Sequence, residues 1–343
     1  MNLLVFPSDN VDEERFYLLN RVGVEIVPAS SSLSHLFLGK TVNFLPYVTD
    51  KVFVQAFTRL VVEKNITHFY TEHAGVWGVI DSLLKQSDEL QFELVADFPF
   101  DSTWQEFEKY SLWADAVNNS ESLLGGTRLD KDSLASLCQR YNQIPGQSDN
   151  VKLEALVNLA TSIPEGDWVE IGALYGRSSY ALGVLAGYNN SKLICIDPWD
   201  ALKVRPQQGK ASILDSQSDL IDNTKIFNVF RSSIALLSNT SYIRSLSEDA
   251  LPRYLTSDFD GRSVTINKSI SFLHIDGNHH YDEVSKDIAL WEPHVCVGGW
   301  IAVDDYLWAF GDGPKKAGDN LLRTGRFDEA FVSGDTLYMR KAF

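Results

Sequence analysis

Residues 272–306 read FLHIDGNHHYDEVSKDIALWEPHVCVGGWIAVDDY, and this stretch decides the fold. Ser271–Ile275 is an apolar run that reads as a strand, with Asp276 at its end. Tyr281, Val284, Ile288 and Trp291 then recur at helical spacing. Trp300–Val303 is a second strand, closed by Asp304 and Asp305. Strands alternating with helices imply parallel neighbours joined by crossovers, which brings the three carboxylates side by side at one sheet edge. Acids at close range raise one another's pKa unless a cation sits among them. Hard oxygen donors of this kind point to Mg²⁺, or Mn²⁺ as its near substitute. The competing reading makes one of the aspartate pair a cap for the segment that follows.

His279 lies three residues beyond Asp276, in the loop before the helix. From there an imidazole can reach a metal-bound substrate and act as general base. His280 is its immediate neighbour and an alternative for the role. His274 sits inside the strand and reads as a packed or hydrogen-bonded core residue.

Upstream, VEIGALYGRSS (169–179) ends a strand at Ile171 and begins a helix near Ser178. Gly172 and Gly176 let the backbone approach a ligand at the strand's carboxyl end, where open α/β sheets bind them. The spacing differs from the dinucleotide fingerprint and suits a ligand without a pyrophosphate. In LICIDPWD (193–200), Asp197 ends the next strand, where a carboxylate can accept both ribose hydroxyls of an adenosine. A cap before Pro198 is the plainer reading of Asp197. IRSLSEDALP (243–252) places Ser247 and Glu248 after a third strand, where they either read an adenine edge or simply start a helix.

The chain of 343 residues is long enough for two domains. Residues 1–100 alternate short strands (2–6, 24–27, 67–70, 92–95) with helices (13–20, 52–63, 76–84), as a small Rossmann-like α/β domain would. It has no glycine-rich phosphate loop, since Gly75 and Gly78 stand alone in HAGVWG. Residues 101–150 form a helical linker whose stripe of Trp104, Phe107, Ser111 and Ala114, with Trp113 beside it, reads as packing, or else as a lid or dimer contact. A turn-rich IPGQSDN (144–150) marks the boundary. Residues 151–343 supply a helix (152–161) and seven strands: 168–171, 193–196, 242–246, 271–275, 300–303, 331–333 and 336–340. The last two are separated by Gly334-Asp335, as in a hairpin.

Apolar residues make up 44% and charged residues 22%, as in an ordinary globular protein. The net charge of -16, without a basic cluster, argues against a nucleic-acid partner. The first residues lack a basic, signal-like region, and no run approaches the roughly 20 apolar residues of a membrane span. Cys138, Cys195 and Cys296 are scattered without metal spacing, so a reduced, cytoplasmic protein is expected.

Taken together, GluIleGlyAlaLeuTyrGlyArgSer (170–178), CysIleAspProTrp (195–199), HisIleAspGlyAsnHisHisTyr (274–281) and GlyGlyTrpIleAlaValAspAspTyr (298–306), with GlyPro at 313–314, resemble class I S-adenosylmethionine-dependent methyltransferases. The resemblance covers about residues 150–343. It is nearest the metal-dependent branch that includes the macrolide sugar O-methyltransferases of tylosin and mycinamicin biosynthesis. It implies a Rossmann-like seven-stranded α/β sheet ending in an antiparallel hairpin, preceded here by the smaller α/β domain. It implies that Glu170, Gly172 and Asp197 hold S-adenosylmethionine, that Asp276, Asp304 and Asp305 bind Mg²⁺, and that His279 is the base. The wider candidate cofactor set adds Ala173, Gly176, Ser178, Pro198, Trp199, Ser247, Glu248 and Asp276.

Catechol O-methyltransferase is similar in plan but has a lysine at the place of His279, and the family commonly has an acid at Asn278. The expected substrate is a small molecule or glycan bearing hydroxyls, first of all a sugar, with a catechol or phenol as the rival. Trp199, Trp300 and Trp308 are candidates to line either pocket, and residues 199–226 read as a lid or a solvated insertion. Some sugar-modifying relatives use an extra N-terminal domain in assembly, so a homo-oligomer is an expectation. From other classes, a nicotinamide-dependent oxidoreductase lacks its fingerprint here, and a silent assembly module has no need of the three acids.

Overall fold

The computed structural model describes residues 1–32, 36–87, 90–120, 129–200 and 222–343. The chain divides into two units, Met1–Lys109 and Tyr110–Phe343.

In the first unit, short apolar runs form β1 (Asn2–Val5), β2 (Glu25–Ser30), the two-residue strands β3 (Leu36–Phe37), β4 (Lys40–Thr41) and β5 (Asn43–Phe44), then β6 (His68–Tyr70) and β7 (Glu93–Leu94). The helices are α1 (Glu14–Arg21), α2 (Phe53–Glu63) and α3 (Ala74–Gln86). Five strands make a sheet in the order β5-β2-β1-β6-β7, parallel throughout, while β3 and β4 pair antiparallel beside it. Phe6, Phe53, Phe57, Phe69 and Phe92 fill the space between this sheet and α2. His73 belongs to the start of α3: its Nδ1 accepts from the backbone N–H of Gly75 and Val76, which caps the helix.

Helix α4 (Pro99–Asn119) carries the aromatic stripe, and the stripe is not one packed face. Trp104 and Phe107 are exposed, whereas Tyr110, Ala114 and Val117 enter the core of the second unit. The segment read as a linker therefore contributes core residues.

The second unit continues with α5 (Lys131–Gln143), α6 (Asn150–Ala160), β8 (Asp167–Ile171), α7 (Arg177–Tyr188), β9 (Lys192–Ile196), α8 (Asn223–Ile234), β10 (Thr240–Ile243) and α9 (Ser247–Thr256). It ends with β11 (Ile270–Ile275), α10 (Tyr281–Trp291), β12 (Val295–Val303), α11 (Gly313–Leu322), β13 (Phe327–Ser333) and β14 (Thr336–Lys341). The seven strands form one sheet in the order β10-β9-β8-β11-β12-β14-β13. The first five are parallel, and β14 returns antiparallel between β12 and β13. This is the seven-stranded α/β sheet with a terminal hairpin expected from the sequence. β10 stops at Ile243, short of the expected 246, because the Arg244 N–H leaves the ladder for the Asp260 carboxylate.

Side chains alternate across a strand, and that alternation assigns the layers. Trp168, Phe272 and Trp300 point to the face covered by α5–α8, while Val169, Leu273 and Ile301 point to the face of α9, α10 and α11. Glu170, His274 and Asp304 follow two, two and four residues behind the first three, so they share the face of α6 and α7. No helix among the described residues is long and apolar enough to cross a membrane. The central part of the proposed lid, 201–221, lies outside the described residues.

Candidate active site

The sheet's order reverses between β8 and β11, since the chain moves outward from β8 through β9 to β10 and then returns to β8's other side. Ligands of open α/β sheets bind at the carboxyl ends of strands at such a point. Ile171, Ile275 and Val303 are in register, so the next residues form a row. The backbone continues the ladder one step further: Gly172 N–H bonds Ile196 O, Asp276 N–H bonds Ile171 O, and Asp304 N–H bonds Ile275 O.

Gly172 is required by this close approach. Its φ is +88°, and a Cβ there would stand 1.9 Å from the carbonyl oxygen of Asp276. Leu174 and Gly176 also have positive φ, so the loop curls back over the strand end before α7 begins. Asp197 fixes this curl. Its Oδ2 accepts from the N–H groups of Ala173 and Leu174, at 3.1 and 3.0 Å, and its Oδ1 accepts from Trp199 at 2.8 Å. Burial raises its pKa against those three bonds. Gly176 caps α7 without a side-chain bond, and Ser178 is buried in its first turn.

Several expected contacts turn inward. Glu170 is fully buried; Ser179 Oγ donates to it, and His274 Nδ1 lies 3.3 Å away. Trp199 is buried against Phe227, Phe230 and Tyr242, with its indole N–H on Leu174 O, and the Arg244 guanidinium binds the carbonyls of Pro198 and Trp199. Trp300 packs on Phe331 in the core. Trp199 and Trp300 are therefore not pocket walls, because the aromatic cluster and the sheet interior claim them. Ser247 donates to Asp287, and Glu248 pairs with Lys286 at 2.7 Å, so these two residues join α9 to α10. His274 is the buried, hydrogen-bonded residue anticipated from its place inside the strand.

The acidic edge separates into two groups. Ligand atoms of His274, Asp276 and Asp304 lie within 4.8 Å of one another, as do those of Asp276, His279 and Asp305. Asp276 belongs to both groups, Asp304 to the first and Asp305 to the second. Asp304 has a partner that the sequence reading passed over. Lys152, on α6 and almost fully buried, donates its ammonium to Asp304 Oδ2, while Thr336 Oγ1 donates to Oδ1. Lys152 stands four and seven residues before Leu156 and Leu159, on the buried face of its helix, and that position was the available signal.

Charges follow from this packing. Burial opposes ionisation of Asp304, yet the Lys152 ammonium and His274 hold its carboxyl well below the usual range. Burial and the neighbouring Asp304 charge push Asp276 well above it. Burial likewise disfavours the His274 imidazolium, but the neighbouring carboxylates of Asp304, Glu170 and Asp276 bring it up to about 10.

On the outer side, His279 Nε2 lies 2.9 Å from Asp305 Oδ2. Asp305 holds a left-handed backbone, φ +52°, which turns it away from Asp304. Trp308 meets the His279 ring edge to face at 4.4 Å. The Asn278 side chain accepts from His280 N–H, and Gly313 allows close approach, since a Cβ there would lie 2.2 Å from His279 O. The His280 ring points to Asp282, 3.7 Å away.

The parallel sheet with its terminal hairpin thus carries a curled glycine loop after β8 and acids after β9, β11 and β12. Residues 169–306 match the family model described as a methyltransferase domain. An uncharacterized protein of Acanthamoeba polyphaga mimivirus is 28% identical over 163 residues, a match spanning 47% of this chain and 62% of that protein. Among solved structures, the O-methyltransferase NovP is similar over 71% of this chain and 100% of its own, at 18% identity and a TM-score of 0.46. A TDP-rhamnose 3'-O-methyltransferase of calicheamicin biosynthesis is similar over 72% and 96%, at 14% identity and a TM-score of 0.41.

Proposed function

We propose that the second unit transfers the methyl group of S-adenosylmethionine to a hydroxyl oxygen. The observation that carries this reading is the His279–Asp305 pair beside Asp276, next to the curled glycine loop at the switch point of the sheet. The cofactor's own chemistry fits what surrounds it. An α7 N-terminus without a side-chain cap suits the amino-acid carboxylate, and carboxylates on both sides suit a sulfonium cation. Asp197 would meet the ribose hydroxyls by exchanging some of its loop hydrogen bonds for them.

In this reading the acceptor hydroxyl approaches in line with the sulfur–methyl bond, its oxygen forms the new bond to carbon, and S-adenosylhomocysteine leaves. The His279–Asp305 pair takes the hydroxyl proton, with Asp305 fixing the ring and balancing the imidazolium. A divalent ion, where one takes part, would sit on Asp276 and Asp305 beside His279, and would supply Lewis acidity to the acceptor. Binding and alignment supply the rest of the rate.

A sugar hydroxyl is the proposed acceptor, in a glycosylated natural product or a polysaccharide. With Trp199 and Trp300 in the core, Trp308 is the one tryptophan of the three beside His279, and the carboxylates of Asp276 and Asp305 lie next to it. Carboxylates accept hydrogen bonds from several hydroxyls at once, which favours a polyol over a flat phenol.

Calorimetric titration with S-adenosylmethionine, with NAD⁺ as control, tests the cofactor. Radiolabelled methyl transfer to sugar nucleotides and to catechols then tests the acceptor. His279→Ala should lower turnover by roughly 10²–10⁴ with cofactor affinity retained. An unchanged rate would remove the base from His279, and binding of NAD⁺ in place of S-adenosylmethionine would remove the methyl-transfer reading altogether.

A further inference from the structure

Lys152 and Asp304 are 152 residues apart in sequence, and their side chains are only 4% and 5% exposed. Both oxygens of Asp304 already have donors, the Lys152 ammonium on one and the Thr336 hydroxyl on the other. His274 Nε2 adds a third polar atom 3.8 Å from the first oxygen. A divalent ion would have to take one of the remaining lone pairs at about 2.0–2.6 Å, where the buried ammonium already on this carboxylate would meet it with like charge.

The position of Lys152 in its helix adds a second argument. Asp149 caps α6 by accepting the Lys152 N–H at 2.9 Å, which fixes this lysine in the first turn. A cation there opposes the helix dipole, and burial opposes its charge as well. Both costs are met by one feature of the fold, the carboxylate at the end of β12.

We propose that Lys152 is the resident cation of Asp304: its ammonium occupies the place at this carboxylate that a divalent ion would take, and Asp304 is a positioning residue, not a metal ligand. The pair ties α6, β12 and β14 together behind Asp276 and leaves Asp276, Asp305 and His279 to face an incoming ion or substrate. This deepens the methyl-transfer reading of the same site, while ion binding can be measured without it.

The experiment is a Mn²⁺ titration of the full chain, followed by the paramagnetic signal of the free ion, for wild type, Asp304→Asn, Lys152→Met and the double variant. Asp304→Asn, checked for native circular dichroism, should bind Mn²⁺ as wild type does. Lys152→Met, checked for native circular dichroism, should gain Mn²⁺ affinity by at least roughly tenfold as a carboxylate is freed, and the double variant should lose that gain. The proposal is overturned if Asp304→Asn weakens the wild-type binding tenfold, or if folded Lys152→Met gains nothing. Should Lys152→Met not fold, the comparison of Asp304→Asn with wild type decides alone. Calorimetry with S-adenosylmethionine on the same samples separates the two readings, because a wild type that fails to bind it refutes methyl transfer and leaves the Mn²⁺ comparison intact.

Discussion

Removing the Lys152 ammonium should be among the most damaging single changes in the second unit, and removing its partner as well should undo most of the damage. In Lys152→Met the aliphatic stem is nearly preserved, so packing changes little. What remains is a carboxylate 5% exposed that has lost the Lys152 ammonium, with Thr336, His274 and the acid Asp276 beside it. Breaking a buried pair from one side costs about 3–5 kcal/mol, whereas replacing both members by uncharged groups is often close to neutral. Asp304→Asn alone should be costly for the mirror reason, since it strands the ammonium. The double variant Lys152→Met/Asp304→Asn should therefore lose at least about 3 kcal/mol less than the sum of the two singles. Urea unfolding followed by tryptophan emission suits the measurement. Trp113, Trp168, Trp199, Trp291, Trp300 and Trp308 report on the second unit, and only Trp77 and Trp104 lie outside it. Additive losses in the cycle would refute the claim that the two groups neutralise each other in the folded protein.

Two further substitutions probe the frame of the site. Asp287 is 8% exposed, receives the Ser247 hydroxyl, and has its pKa raised from 3.8 to about 6 by burial, with Glu248 and Glu283 adding to the rise. An acid with a raised folded pKa favours folding fully below its unfolded value and loses that contribution as pH rises through the folded one. Asp287→Asn should thus gain on wild type by about 2–3 kcal/mol between pH 4 and 7, read as a difference in urea midpoints; a difference that is flat with pH counts against it. Gly172→Ala meets both a positive φ and the Asp276 carbonyl at 1.9 Å, whereas Gly325→Ala meets only a positive φ, with nothing within 4 Å. The second should cost about 1–2 kcal/mol and the first clearly more, and equal midpoints for the two variants would show that the strand ends do not press on Gly172.

Much of the second unit was legible because its signals are local. The strand–loop–helix patterns of 169–179 and 272–306 carry their own periodicity, and the alternation of Trp168, Glu170, Phe272 and His274 is a property of single strands. The acids at 197, 276 and 304 stand at the strand ends in the structure as in the reading. Trp199 and Trp300 misled because a large aromatic beside a motif can serve a pocket or a core, and only the packing of Phe227, Phe230 and Phe331 distinguishes them. The stripe on α4 packs only in its second half, with Ala114 and Trp113 on the core and Trp104 and Phe107 exposed, since helical spacing identifies a face without saying how far along the helix that face stays covered.

The least legible feature was which carboxylate owns which cation. Three aspartates at adjacent strand ends read as one acidic cluster, because strand register is all that a sequence pattern conveys. Two facts divide the cluster, and neither is local. A left-handed backbone at Asp305 turns one side chain toward His279, in the loop after the neighbouring strand. A lysine on α6 reaches Asp304 across the face that the strand alternation assigns to it. A lysine on the inward face of an amphipathic helix is an unfavourable placement unless an acid awaits it. In a chain with a row of strand-end aspartates, such a lysine is therefore a reason to ask which of them it neutralises before all are given to a metal.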